Sequence, residues 1–388
     1  MTLIALFACT PSDPLDAAES ADLLHRAYVV SNESNEMFVF DYETLEEIGS
    51  LDTTVTNGAV NGNHMAMVGM DGKTIYTTAA EQDALVIIDA ATLTVKKTMP
   101  IGDHATHMAL RPGGSELWIM AEDDNTVVVL DTETDTITHA ITDPAITLPH
   151  FARFSGDYAY IPSIGGNQIS IVELATYTVI DTLVGDGLLE GPCEGDPCGY
   201  ADAQIDPNGV LFASNFTTGK VIVYDTVTGE RGPDVSVGSQ TWSAFVDPFS
   251  PLIEDGGDSF AFVPSWMTST ISRIGADGTA AIWAAGDSEV YGVNFSATAP
   301  GEAFVLNRTR HEVAVLDRES GEVLDTLDVG GTTETGTTTP DGRLLLPISS
   351  TGEVAIIDTA THQELARFRG VGTYPWSVST VDGQNYCH

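Results

Sequence analysis

Three histidines recur at one spacing. They stand in His64-Met65-Ala66, His107-Met108-Ala109 and His150-Phe151-Ala152, with 43 residues between successive copies. Imidazole suits copper, zinc or iron, and three such groups converging on one point would leave a coordination position open. A repeated histidine can equally be a structural member of a ring that lines a ligand mouth, and the residues alone leave both readings standing. Arg153 follows the third motif where spacing puts Met67 and Leu110 in the sister copies. A guanidinium there either receives an anionic group or pairs with an acidic neighbour. Further along, Trp242, Tyr291 and Trp376 continue the position, and Tyr200 matches it to within one residue. His104 reads as an exposed loop residue.

Other chemistry is thin. No nucleophile elbow, phosphate loop or zinc-protease helix motif is present. Asp123-Asp124-Asn125 and Asp131-Thr132-Glu133-Thr134-Asp135 offer oxygens that could take calcium. Neither fits an EF-hand loop, and solvated turns account for them as well.

The elements that would carry these side chains repeat along the chain. A short β-branched run ends in an acid and a Thr- or Gly-containing turn. It appears as Phe38–Asp41, Val86–Asp89, Val128–Asp131, Ser170–Glu173, Ile222–Asp225, a degenerate Ser272–Gly275, Ala314–Asp317 and Ala355–Asp358. Alternation with period two means strands, and the acid opens a tight turn. Each copy has an upstream half, with turns such as Asp71-Gly72, Pro207-Asn208-Gly209 and Pro340-Asp341-Gly342. Four strands per copy of this length is the size of a propeller blade.

The expected fold is therefore all-β, a β-propeller of four-stranded blades. Residues 25–388 form one domain, and residues 1–24 precede it. The first copy has only the later strands of a blade, and Pro375–Gly383 looks like a first strand and its turn. Together they would close the ring in one blade and remove a free edge. That gives eight blades. Seven is the alternative, because the copy from Thr241 to Gly286 is irregular and carries the insertion Pro248–Asp258.

These repeats resemble the YVTN-repeat propellers of bacterial and archaeal envelopes. The likeness is carried by Tyr28-Val29-Val30-Ser31-Asn32, Phe212-Ala213-Ser214-Asn215, the Asp-Gly turns and the Val-Ile-Asp-x-x-Thr runs. It covers about residues 25–383. The literal tetrapeptide is absent, and such proteins usually have seven blades. The resemblance implies a binding or scaffold protein.

The chain has 56 acidic and 15 basic residues, a formal net charge of −41, which disfavours nucleic acid and anionic lipid. Leu6-Phe7-Ala8-Cys9 resembles a lipobox, followed by a Pro-, Asp- and Ser-rich tether. Cys9 is then a lipidation site, although the segment lacks a basic n-region. The sequence predicts an extracytoplasmic protein, lipid-anchored or secreted, that touches a membrane only through its anchor. Cys193 and Cys198, in a Pro- and Gly-rich loop, suit a small disulfide; a metal pair would need ligands not seen nearby. The expected function is a monomeric binding or scaffold module. An envelope protein or a small molecule would sit at a mouth lined by His64, His107, His150, Arg153, Tyr200, Trp242, Tyr291 and Trp376. The alternative is a metal-dependent oxidoreductase or a lactonase-like enzyme at the same mouth.

Overall fold

The computed structural model describes residues 23–186, 198–238, 240–249, 259–285, 289–381 and 383. Among these, the chain forms eight four-stranded antiparallel sheets, each built from consecutive strands except one. The exception is blade 1, where Pro375–Ser379 adds to Arg26–Ser31, Glu36–Asp41 and Glu46–Asp52. Val378 lies opposite Val29 and Ser377 opposite Val30, so the two ends of the chain share one sheet. The fold is an eight-bladed β-propeller. The irregular copy is a true blade, with a two-residue inner strand, Phe245–Val246, ahead of three full ones.

Burial explains the strand sequences. The second and third strands of a blade are covered on both faces by neighbouring blades. In blade 3, Leu117–Ala121 and Val127–Leu130 are buried throughout, and both runs are continuously apolar. The outer strand of blade 2, Thr94–Pro100, is exposed and carries Lys96 and Lys97, charges that blunt a rim edge. The turn acids do what their spacing suggests. Asp41, Asp89, Asp131, Asp225, Asp317 and Asp358 each accept a backbone N–H from the residue three positions on.

Adjacent blades are tied by side chains that reach a neighbour's backbone. Ser379 donates to the Ala66 carbonyl at 2.6 Å, Thr78 to Thr106 at 2.9 Å and Asn294 to Gly336 at 2.8 Å. First strands of neighbouring blades touch one another between blades 1 and 2, 2 and 3, 4 and 5, 5 and 6, and 6 and 7. No helix among the described residues is long and apolar enough to cross a membrane. Cys9, the tether and Cys193 lie outside the described residues. Cys198 is disulfide-bonded.

Candidate metal centre at the channel mouth

Strand register gives an alignment of the blades that does not depend on sequence spacing. Met67 pairs with Tyr76, Ala109 with Trp118 and Arg153 with Tyr160. Each of these partners lies two residues after the second-strand residue opposite the turn acid, namely Thr74, Glu116 and Tyr158. On this count His64 corresponds to Thr106 and His150, and His107 corresponds to Met65 and Phe151. The uniform spacing of the three motifs therefore hides a shift of one residue at blade 3. Arg153 likewise matches Ala109, not Leu110.

The same count runs around the ring. From blade 1 to blade 8 the position of His64 holds Trp376, His64, Thr106, His150, Ala201, Trp242, Tyr291 and Glu334. Tyr200 falls one residue earlier. It is wholly buried in the core between blades 4 and 5, so it does not line the mouth.

The three histidines meet despite the shift. Ring centroids of His64 and His107 are 4.5 Å apart, and those of His107 and His150 are 3.8 Å apart. Trp376 flanks His64 at 5.3 Å. Offset by one residue, His107 enters from the next pleat and is fully buried, while His64 stays half-buried.

Sequence reasoning missed Glu122. It follows the strand Glu116–Ala121 and opens an acidic turn, where an exposed residue is expected. It is instead 9% exposed. Its Oε1 lies 3.5 Å from His107 Nδ1 and 4.0 Å from His150 Nε2. One ligand atom from each of His107, Glu122 and His150 lies within 4.8 Å of the others, so the group can hold a metal ion. His64 stands against this trio, outside it. The only signal for Glu122 is positional: by register, blades 2 and 4 carry Ala80 and Ile164 there, and an acid replaces them.

The surrounding contacts orient the trio. His150 Nδ1 lies 2.9 Å from the Ala201 carbonyl, which can only accept, so Nδ1 carries the proton. In the neutral ring Nε2 then keeps its lone pair toward Glu122. A carbonyl fixing the second ring nitrogen is how metal-ligating histidines are held. Thr106 donates its hydroxyl to Glu122 Oε1, and its oxygen lies 2.8 Å from His107 Nδ1. Burial pushes the Glu122 carboxyl up to about 8; the Thr106 hydrogen bond works against this, and the Asp123 charge adds to it. A cation beside it would reverse that penalty.

The remaining candidates have structural partners. Arg153 pairs with buried Asp202 at 3.0 Å, donates to the Ala203 carbonyl at 2.7 Å and lies 4.0 Å from the Phe151 ring centroid. In the acidic turns proposed for calcium, one oxygen each of Asp124 and Asp131 is taken up by the chain. Asp124 accepts from the Asp103 backbone, and Asp131 from Glu133 and Thr134.

Comparison with solved structures places this geometry among propellers. The chain is similar to dihydro-heme d1 dehydrogenase NirN in complex with DHE, at 15% identity and a TM-score of 0.71, covering 93% of this chain and 76% of that one. It is similar to apo AztD from Citrobacter koseri, at 11% identity and 0.64, covering 93% and 98%. The computationally designed Ika8 protein gives 13% and 0.64, covering 86% and 98%. These likenesses show the fold alone. No family model and no curated protein matches the chain, so the YVTN assignment has no support beyond its residues.

Proposed function

We propose that this propeller is an extracytoplasmic binding module that holds one first-row transition-metal ion at the channel mouth. His107, Glu122 and His150 would be its protein ligands. The observation that carries the reading is the meeting of two imidazoles and a carboxylate, all buried, with one imidazole already oriented by the Ala201 carbonyl. Tetrahedral ligands about 2 Å from an ion stand roughly 3.3 Å from one another. One ligand atom from each residue lies within 4.8 Å of the others, so the three side chains would draw inward on binding.

Two imidazoles and a carboxylate suit zinc, copper or iron and leave positions for a small molecule or a partner's side chain. Export and a lipid anchor through Cys9 belong to the same proposal, supported by the lipobox-like segment and the acidic tether. The −41 net charge fits such a module by drawing cations toward the surface.

Equilibrium dialysis of the purified protein against zinc(II), copper(II) and iron(II) tests the reading. One equivalent bound tightly by the wild type, and lost in Glu122→Ala and His150→Ala, supports it. Absence of stoichiometric binding of all three ions by the folded wild type overturns it.

A further inference from the structure

Glu122 belongs to a second register position that also runs around the ring. It is the residue just after the second strand of each blade. In blades 5, 6 and 7 that place is taken by Phe216, Trp266 and Arg308, which follow Val210–Asn215, Phe260–Ser265 and Glu302–Asn307. The two positions that supply His150 and Glu122 to the metal trio thus build something else on blades 5 to 7. There the His64 position holds Trp242 and Tyr291.

These rings form a corner. Phe216 and Trp242 are 4.9 Å apart at 53°, Trp242 and Trp266 5.8 Å apart at 52°, and Phe216 and Trp266 6.4 Å apart at 89°. Tyr291 extends the arc, stacked on Trp266 at 5.4 Å and 30°. Phe216, Trp242 and Trp266 are all half-buried, so each keeps some surface open to solvent. The backbone holds the corner together: Trp266 N–H donates to the Gln240 carbonyl and Phe216 N–H to Gly199.

We propose that this corner is a second subsite of the mouth and takes an organic cation of the methylated-ammonium class. Three mutually inclined rings fit a compact, rounded group, whereas a flat ring would engage only one of them. Aromatic faces carry negative potential, and sites built of several such faces recognise quaternary ammonium ligands. At the end of the arc, the Tyr291 face already takes a cation within the chain: the Arg308 guanidinium lies 4.7 Å from its ring centroid. Arg308 is in turn paired with Glu334 at 3.2 Å. The excess of 56 acidic over 15 basic residues favours a cation over an anion in the same mouth.

The test is a titration with choline and with its uncharged isostere 3,3-dimethylbutan-1-ol, read by tryptophan fluorescence. Two of the five tryptophans, Trp242 and Trp266, sit in the corner. Choline should give a saturable change, with the isostere about tenfold weaker. Chelator treatment should leave choline binding unchanged, which separates this subsite from the metal centre. Trp242→Leu, or Trp266→Leu if the first variant does not fold, should weaken choline about tenfold. Equal binding of choline and the isostere, or no saturable response in the folded wild type, overturns the proposal.

Discussion

His107 Nδ1 lies 3.5 Å from Glu122 Oε1, although the two residues come from different parts of blade 3. His107 is on the inner strand Ala105–Leu110, and Glu122 follows the next strand, Glu116–Ala121. Thr106 bridges them through its hydroxyl. A single blade therefore supplies two of the three candidate ligands, and blade 4 adds His150.

Burial of the Glu122 carboxyl makes the metal-free protein lose stability as pH rises. Glu122 has a folded pKa of about 8 against an ordinary value of 4.5, so folding favours its protonated form. The stability linked to it is complete below pH 4.5 and is lost as pH rises through 8. Denaturant unfolding of metal-free protein should show a loss on the order of a few kcal/mol between pH 5 and pH 9. Glu122→Gln should remove most of that slope. Loading with metal below pH 8 should release a proton, detectable in weakly buffered solution. A slope unchanged by Glu122→Gln would show that other groups govern it.

Arg153 acts on stability. Its partner Asp202 is 1% exposed and also accepts from Gln204 at 2.6 Å. Arg153→Met should cost roughly 3 kcal/mol by leaving that carboxylate buried without its cation. Adding Asp202→Asn should recover most of the loss, as read in urea unfolding. Wild-type stability in Arg153→Met alone would mean that the remaining hydrogen bonds suffice.

Ring closure should dominate the stability of the ends. Val378 and Val29 are fully buried opposite each other, and Ser379 bonds across to blade 2. Truncation after Val371 should cost roughly 3–6 kcal/mol through lost apolar burial and an exposed strand edge. Ser379→Ala, which removes one hydrogen bond, should cost about 1 kcal/mol. A truncated protein that unfolds at the wild-type midpoint would contradict the closure.

Much of the architecture was legible because each blade repeats the same physical problem. Strands such as Val127–Leu130 must be apolar on both faces, and turn acids such as Asp131 must cap the same bend, so the pattern recurs. The half-copies at Arg26 and Pro375 announced the closure. The site was legible in part. His107 and His150 stood out by type and spacing, but the equal spacing is an accident of loop length. By register Met67 to Ala109 is 42 residues and Ala109 to Arg153 is 44, because the first turn of blade 4 is tighter. Tyr200 was misplaced by the same kind of one-residue offset. Glu122 was hidden because an acid beside Asp123 and Asp124 looks like a solvated turn. Its burial depends on the neighbouring blade, which local sequence does not specify.

The most direct measurement is an anomalous difference map at the absorption edge of the bound metal, from crystals of the loaded protein. The account predicts one strong peak about 2 Å from the ligand atoms of His107, Glu122 and His150, absent in Glu122→Ala crystals. A peak held by other residues, or no peak in a fully loaded protein, would contradict it.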